Sequence, residues 1–355
     1  MPASHRGMET GFLILLLATT AWAQDTSRMD QAIQKFVPGE FMGSVLVARG
    51  DKTLLSKGYG SANLEWGIPN TPQTKFRIAS LTKQFTAVCI LLLEQRGKLN
   101  VEDSVKKYMA DAPPAWDRIT IFNLLTHTSG IPDFTGFADS RTSEPFATTP
   151  GQLVARFRNK PLEFEPGEKM NYSNSGYVLL GYLIEKISGE TYERFVRDNI
   201  FTPLRMEDSG YDSNSAVIPR RAVGYSPGPN GPVNAGYIDM TIPYSAGGLY
   251  STTEDLLRWQ RALFGGKLLS SASFQKMTTP FKGYGFGLSF PRVQGHETIA
   301  HNGEIQGFNS WMSYYPESQV TAIVLANLNG DAPETIGAII GDLAHEAARS
   351  PQGRN

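Results

Sequence analysis

A serine and a lysine stand three residues apart at the front of a strongly apolar segment. Ser80 and Lys83 open the run FRIASLTKQFTAVCILLLEQ, residues 76–95. Side chains at i and i+3 share one face of a helix, and a helix N-terminus offers free N–H donors beside the serine oxygen. A base must take the hydroxyl proton before serine becomes a nucleophile, and a lysine that burial has made neutral can do so. The alternative makes Ser80 a helix cap and Lys83 a surface side chain with a buried stem.

The Ser-x-x-Lys spacing occurs three times, so the surroundings have to decide between the copies. Ser104 and Lys107 lie in the charged stretch VEDSVKKYM, and Ser273 and Lys276 have no apolar helix behind them. We interpret these two pairs as surface residues, which leaves the pair that opens at Ser80.

A second polar group lies in NYSNSGY, residues 171–177, between a turn and an amphipathic segment. Tyr172 can relay protons if nearby cations lower its pKa, and Asn174 offers both a donor and an acceptor to a substrate amide. Taken alone, the group is more typical of a capped helix start.

A third group, HNG at residues 301–303, ends a predicted strand. His301 can donate a hydrogen bond to a substrate carboxylate, and Gly303 leaves room for a substrate backbone beside the strand edge. Taken alone, a histidine at such a place is typically structural.

In this order the three groups resemble the penicillin-recognising serine hydrolases, which include class C β-lactamases, D-alanyl-D-alanine carboxypeptidases, D-aminopeptidases and related esterases. Longer stretches are similar as well, and the resemblance spans residues 30 to 345. They are FRIASLTKQFTA, LLTHTSGIPDF, PGEKMNYSNSGYVLLGYLIEKISG, AGGLYSTTEDLLRW and HNGEIQGFNSWMSYYPE.

The resemblance implies a role for each matching residue. The implied catalytic residues are the nucleophile Ser80, its proton partner Lys83 and a second proton relay, Tyr172. The implied substrate ligands are Asn174, His301 and Gly303. The implied oxyanion hole consists of the backbone N–H groups of Ser80 and Glu304.

One position departs from the class C β-lactamases, which usually carry lysine where this chain has His301. The histidine form looks more like the peptidase, aminopeptidase and esterase branches. Lysine is a permanent anchor for a carboxylate, whereas histidine is largely neutral near pH 7. The departure therefore weakens the expectation of efficient hydrolysis of carboxylate-bearing β-lactams.

Strand patterns at both ends of the chain and helical patterns between them predict an α+β fold. The predicted strands are 43–50, 52–60, 284–290, 296–301, 308–316 and 319–327. The predicted helices are 28–37, 80–96, 118–125, 150–158, 174–188, 190–200, 252–264 and 333–350. An antiparallel sheet built from both termini, residues 24–79 and 266–355, would carry an inserted mainly helical domain, residues 80–265. The active site would lie at their interface.

The N-terminal segment is typical of a secretory signal peptide. A basic residue precedes an apolar run, and Ala21-Trp22-Ala23 is a small-x-small cleavage pattern. We expect residues 1–23 to be removed, a mature chain from about Gln24 and a periplasmic or secreted protein. The apolar run is short for a bilayer span, so no stable membrane anchor is expected.

Composition narrows the possible partners. The 355 residues carry a net charge of −1, which gives no basic surface for nucleic acid. The single cysteine, Cys89, lies in the apolar run and cannot form an intrachain disulfide. In HETIAH the histidines at 296 and 301 are five apart, which does not match a zinc helix, so we predict no metal site and no cofactor.

We therefore expect an exported serine hydrolase that acts through an acyl-enzyme on a β-lactam, a D-amino-acid peptide or an ester, as a monomer or weak oligomer. Two alternatives remain. One is a promiscuous carboxylesterase of the same fold, and the other is a penicillin-binding cell-wall protein that acylates without turnover. Gly-x-Ser-x-Gly around Ser226 is not expected to be catalytic, because the proline-rich segment after it disfavours a helix.

Overall fold

Strands near the two ends of the chain form the centre of one antiparallel sheet. A computed structural model describes residues 25–37 and 39–349. Its longer strands are β1 (Gly43–Arg49), β2 (Lys52–Tyr59), β12 (Ile299–Ile305), β13 (Phe308–Tyr315) and β14 (Val320–Ala326). The order β12-β13-β14-β1-β2, antiparallel throughout, confirms the α+β fold with a sheet assembled from both termini.

Short strands and helices fill the rest of the described chain. The short strands are β3 (Ser61–Asn63), β4 (Ile68–Pro69), β5 (Phe76–Arg77), β6 (Gly210–Tyr211), β7 (Tyr225–Ser226), β8 (Val233–Asn234), β9 (Leu249–Ser251), β10 (Arg292–Val293) and β11 (His296–Glu297). The helices are α1 (25–34), α2 (Thr82–Gln95), α3 (Ile121–Leu125), α4 (Ser140–Ser143), α5 (Pro150–Arg158), α6 (Asn174–Ser188), α7 (Tyr192–Val196), α8 (Thr202–Leu204), α9 (Tyr244–Gly247), α10 (Thr253–Phe264), α11 (Ser271–Thr278) and α12 (Ala332–Arg349).

Helices cover both faces of the five-stranded sheet, because its central strands are apolar on both sides. Alternate side chains of a strand point to opposite faces. Leu46 and Ile323 join the large cluster that includes α2 and α6, whereas Val45 and Val324 join the cluster under α1 and α12. The sheet is thus a central layer, and the buried front end of α2 lies on one side of it.

A small sheet with the order β5-β9-β6 leads the chain into the front of α2. Strand β5 pairs with β9, and a 3-10 turn at Ala79–Leu81 then connects directly to α2. This connection holds Ser80 between the helices and the edge strand β12.

The predicted helices at 150–158 and 174–188 match α5 and α6 residue for residue. The predicted strand at 284–290 is wrong, since only isolated bridges occur there. Gly287 has φ +70° and lies against the Lys83 backbone, so this segment folds as turns around α2. The sequence prediction also missed α11 and merged β11 with β12 into one strand at 296–301.

The two predicted structural domains share one hydrophobic cluster. Leu46 and Met312 of the sheet belong to the same cluster as Val88 of α2 and Leu180 of α6. The boundaries at 79/80 and 265/266 therefore remain an interpretation of the sequence. The predicted signal peptide, residues 1–23, lies outside the described residues. Within the described part of the chain, every helix is too short or too polar to cross a lipid bilayer.

The contact between α12 and β13 generates a stability prediction. A Cβ atom on Gly337 would lie 2.1 Å from Cδ1 of the buried Trp311. Overpacking of this kind costs about 1–3 kcal/mol, so Gly337→Ala should lower the free energy of unfolding by that amount in chemical denaturation. Gly151→Ala is the control, because nothing lies within 4 Å of that helical position and the substitution should be neutral or stabilising. Equal stability of Gly337→Ala and the native chain would show that α12 packs differently.

Candidate active site

Ser80 occupies a turn that is held from two directions. Ile78 donates its backbone N–H to Leu249 of β9 at 3.0 Å, and Ser310 of β13 donates its hydroxyl to the Ile78 carbonyl at 2.9 Å. Ala79, which lies between Ile78 and Ser80 in the chain, has φ 47°. This is the left-handed region that a residue with a Cβ adopts only under local strain. Contacts from distant parts of the chain therefore fix the strained backbone on which Ser80 is placed.

Gly303 is required because the Ser80 turn lies directly against β12. A Cβ atom at Gly303 would lie 2.6 Å from the Ile78 carbonyl oxygen and 2.9 Å from the Ser80 nitrogen. Both atoms are backbone, so neither can rotate away. The sequence predicted space for a substrate backbone at this glycine, whereas in the structure the protein's own Ser80 turn fills that space.

The amine of Lys83 is completely buried and has three hydrogen-bond partners. Its Nζ lies 2.9 Å from Oγ of Ser80, 2.8 Å from Oδ1 of Asn174 and 2.8 Å from the carbonyl oxygen of Ala246. Burial lowers the pKa of Lys83 to about 7, and the Asp133 carboxylate opposes that shift. A neutral lysine is therefore available near pH 7, as the apolar sequence around it predicts.

The chemistry of the three partners determines which way a neutral amine must face. A carbonyl oxygen can only accept a hydrogen bond, and this holds for both Ala246 O and Asn174 Oδ1. A neutral amine has two N–H groups and one lone pair. The two N–H groups satisfy the two carbonyls, so the lone pair is left for Ser80, whose hydroxyl can donate. The geometry suits a base facing a nucleophile, and these roles of Lys83 and Ser80 stay predictions.

Asp133 sets the orientation of Asn174. The Asn174 amide nitrogen donates to Oδ2 of Asp133 at 3.0 Å, which turns its oxygen towards Lys83. Asn174 lines the cleft, but part of its hydrogen-bonding capacity is used inside the protein. It is a positioning group for Lys83 in this structure, and contact with a substrate amide stays a prediction.

Tyr172 lies beside Ser80 and Lys83 with its hydroxyl buried. Lys83 Nζ is 4.8 Å from the centroid of the Tyr172 ring. The Tyr172 hydroxyl makes no hydrogen bond with any of the described residues. Burial raises the pKa of Tyr172, and the neighbouring Ser80 hydroxyl only partly opposes this. A relay role was conditional on nearby cations that lower the pKa of Tyr172, whereas burial raises this pKa and leaves Tyr172 a protonated phenol near neutral pH.

His301 is buried on β12, and both ring nitrogens have protein partners. Nδ1 lies 2.5 Å from the Asn302 carbonyl, which can only accept, so Nδ1 carries the proton. Nε2 then accepts from the Tyr284 hydroxyl at 2.7 Å. Burial and the Lys83 charge lower the pKa of His301 to about 4, so the ring is neutral at physiological pH. Direct donation to a substrate carboxylate would require one of these bonds to be exchanged.

The sequence analysis missed His127, Asp133 and Tyr284. His127 has φ 56°, accepts the Ser173 N–H on Nδ1 at 3.1 Å and stacks on the Tyr172 ring with centroids 4.3 Å apart. It fixes the backbone beside Tyr172 and is a positioning residue. His127 and Asp133 lie in the stretch LLTHTSGIPDF, which carried the resemblance but no assigned role. Tyr284 lies in a segment predicted to be a strand and had no sequence signal.

A cleft of about 430 Å³ opens in front of Ser80. Ser80, Asn174 and Glu304 line it, and Lys83 and Tyr172 lie behind Ser80. Strand β12 is at the edge of the sheet, so alternate backbone N–H groups along it point away from β13. The structure brings Ser80 and Glu304 to one cleft, and their pairing as an oxyanion hole stays a prediction.

The other candidate motifs lie elsewhere. Lys107 and Lys276 form ion pairs with Asp103 and Glu94, away from the cleft-lining residues. Ser226 is on the short strand β7, where its hydroxyl donates a hydrogen bond to the side-chain oxygen of Asn329. No helix begins directly after Ser226.

Comparison with known proteins adds to the geometry. A Bacillus subtilis (strain 168) protein provisionally named penicillin-binding protein PbpX is 32% identical over 292 residues, which cover 82% of this chain and 72% of the relative. The solved penicillin-binding protein of Bacillus halodurans superposes with a TM-score of 0.78 at 29% identity, covering 89% of this chain and 98% of that one.

A third similar protein, the D-amino acid amidase of Ochrobactrum anthropi SV3 complexed with L-phenylalanine amide, has a TM-score of 0.79 at 27% identity, with 91% of this chain and 100% of that one covered. The family model described as Beta-lactamase matches residues 29–345, which include every element that forms the cleft. With this match and the Ser80, Lys83 and Tyr172 arrangement, the chain belongs to the beta-lactamase family.

Proposed function

We propose that this protein is an exported hydrolase that forms an acyl-enzyme on Ser80 and cleaves amide or ester bonds. The observation that carries the proposal is the enclosure of Lys83, whose lone pair can face only the Ser80 hydroxyl once the two carbonyls are satisfied. Export rests on the sequence of residues 1–23, which is typical of a signal peptide.

Acylation follows from the positions of the protons. Lys83 takes the Ser80 proton as Oγ bonds to the substrate carbonyl carbon, and the N–H groups of Ser80 and Glu304 hold the developing oxyanion. Tyr172 then gives its phenolic proton to the leaving nitrogen or oxygen and receives the proton held by Lys83. Both residues are restored. In deacylation a water molecule takes the place of the Ser80 hydroxyl. Lys83 takes a proton from the water as its oxygen bonds to the acyl carbon, and Tyr172 gives its proton to Oγ as the acid is released.

The charges of the groups that line the cleft, and of His301 buried on β12 behind it, favour substrates without a carboxylate. His301 is neutral near pH 7, so it offers no cationic anchor. Glu144 and Glu304 line the cleft without an ion-pair partner among the described residues, whereas Arg156 pairs with Asp139 at 2.9 Å. Negative side chains attract an amine. We therefore favour amides or short peptides that carry a free amine, in line with the name of the similar D-amino acid amidase.

A promiscuous carboxylesterase is the second candidate. The same neutral His301 also suits an uncharged ester, and an ester needs less help at the leaving group than an amide. Faster acylation by p-nitrophenyl esters than by any amine-bearing amide would favour this candidate. A penicillin-binding protein without turnover is less favoured, because Lys83 and Tyr172 are both present beside Ser80 and the proposed mechanism uses them again in deacylation.

Replacing the nucleophile tests the acyl-enzyme. Ser80→Ala should lower turnover of every substrate by about 10³-fold or more, with an unchanged melting temperature. The panel should contain D- and L-phenylalanine amide, a D-alanyl-D-alanine peptide, a penicillin, a cephalosporin and p-nitrophenyl acetate, with the mass of the acyl-enzyme measured for each.

Ser104→Ala is the matched control, since that serine has the same Ser-x-x-Lys spacing but only caps a surface turn. It should retain full activity. Activity of Ser80→Ala close to that of Ser104→Ala would rule out Ser80 as the nucleophile. A penicillin adduct that persists for hours without release would point instead to the non-turnover protein.

The acid limb of the pH profile tests Lys83 as the base. Only the neutral amine can accept the Ser80 proton, so kcat/KM should rise with pH through a single ionisation near 7. The Asp133 carboxylate raises the pKa of Lys83, so Asp133→Asn should move the midpoint to lower pH. Asparagine keeps an acceptor for the Asn174 amide. A midpoint that stays in place or moves to higher pH would contradict the assignment.

Substrate preference tests His301. His301→Lys introduces a longer side chain whose amine can reach the cleft and pair there, in its charged form, with a substrate carboxylate. Turnover of carboxylate-bearing β-lactams relative to neutral esters should then rise by roughly tenfold or more, the value of one charge-assisted hydrogen bond. His301→Gln is the uncharged control and should leave that ratio unchanged. An equal ratio in the lysine and glutamine variants would mean that position 301 does not select for charge.

A further inference from the structure

A cluster of metal-binding side chains lies at the C-terminal end of α12, at the hairpin formed by β10 and β11. Asp342, His345 and Glu346 share one helix face, because they are separated by three and four residues. His296 of β11 faces them, with Nε2 3.1 Å from Oε1 of Glu346 and 3.5 Å from Oδ1 of Asp342. One potential ligand atom each from His296, His345 and Glu346 lies within 4.8 Å of the other two.

His345 is oriented like a metal ligand. Its side chain is 1% exposed, and Nδ1 lies 2.8 Å from the Ser318 hydroxyl. Nε2 is buried without a hydrogen-bond partner among the described residues, with the nearest carboxylate, that of Glu317, 3.8 Å away. A hydrogen bond at one ring nitrogen that leaves the other nitrogen without a protein partner is the usual arrangement of a metal-binding histidine.

Asp342 supplies a second unsatisfied atom in the same place. Its Oδ1 is buried and has no hydrogen bond of good geometry within the described part of the chain. This buried carboxylate oxygen, which lies 3.5 Å from His296 Nε2, and the buried imidazole nitrogen of His345 both lack a hydrogen bond among the described residues. One shared cation would offset the desolvation cost of the two atoms. The sequence did not predict this site, because the spacing considered there was that of His296 and His301. The ligands on α12 lie far from His296 in the chain.

We propose that His296, His345, Glu346 and Asp342 bind one divalent transition-metal ion of the zinc type. Two imidazoles and two carboxylates are a donor set suited to Zn²⁺. Ligands about 2.0–2.2 Å from a tetrahedral zinc are about 3.4 Å apart, so small side-chain movements would close the cluster around the ion.

The ion would act structurally and not in the reaction. The cluster joins α12, on the Val45 and Val324 face of the sheet, to the hairpin that leads into β12. Strand β12 carries His301, Gly303 and Glu304. A bound metal would therefore fix the terminal helix to the approach of the strand that forms one wall of the cleft, without contact with Ser80.

The test uses the full chain, cleared with EDTA and titrated with Zn²⁺ in a calorimeter. We expect one strong equivalent of Zn²⁺ and a melting temperature raised by several degrees. Co²⁺ in place of Zn²⁺ should give the visible absorption bands of a four-coordinate site. His296→Gln and Glu346→Gln replace partly exposed side chains and should fold normally, yet bind Zn²⁺ at least tenfold more weakly and lose the thermal shift.

Glu334→Gln, in the first turn of the same helix, is the matched control and should bind like the native chain. Two results would overturn the proposal, and both would leave His296 as an ion-pair partner only. One is a native chain that binds neither Zn²⁺ nor Co²⁺. The other is equal binding by the native chain and the His296→Gln variant. Neither result bears on Ser80 chemistry, which the ester and amide panel measures separately.

Discussion

Burying the amine of Lys83 disfavours its charged form, and three partners from separate parts of the chain hold the neutral form in one orientation. Ser80 comes from the turn before α2, Asn174 from the start of α6 and Ala246 from α9. Because two of these partners can only accept, the lone pair is directed to the third. Hydrogen-bond stoichiometry thus supports the proposal that Lys83 is the base, and the surrounding fold brings the three segments together.

The need to hold these three segments together accounts for several locally unfavourable or tightly constrained features around the site. Ala79 is held in a left-handed conformation, Gly303 has no space for a methyl group, and His127 keeps a buried ring nitrogen without a partner in the described residues. Each is unfavourable taken alone. Each also lies against Ser80 or Tyr172, where strain can be held only by the surrounding packing. The same packing lowers the pKa of His301 and keeps its ring uncharged near pH 7, which is the basis of the proposed preference for substrates without a carboxylate.

Much of this arrangement could be predicted from sequence, because it depends on local patterns. The apolar run behind Ser80 predicted a buried helix front and a lysine of lowered pKa, and the capped segment at 174–188 predicted α6. The short apolar strand patterns near the two ends predicted one sheet from both termini. These features depend on periodicity within ten or twenty residues.

What the sequence could not provide depends on contacts between distant segments. The purpose of Gly303 became clear only with the Ser80 turn against it, and the neutral state of His301 only with Tyr284 beside it. The turns at 281–289 look like a strand by composition but follow the surface of α2. The His296 and His345 cluster joins two elements that no spacing rule relates.

The most direct measurement is an NMR titration of Lys83 in protein labelled with ¹³C at lysine Cε, assigned by the loss of its signal in Lys83→Ala. The account predicts a lysine that titrates near pH 7 in the free enzyme, well separated from the surface lysines near pH 10. A Lys83 signal that stays protonated up to pH 9 would contradict it, because the Ser80 hydroxyl would then have no base.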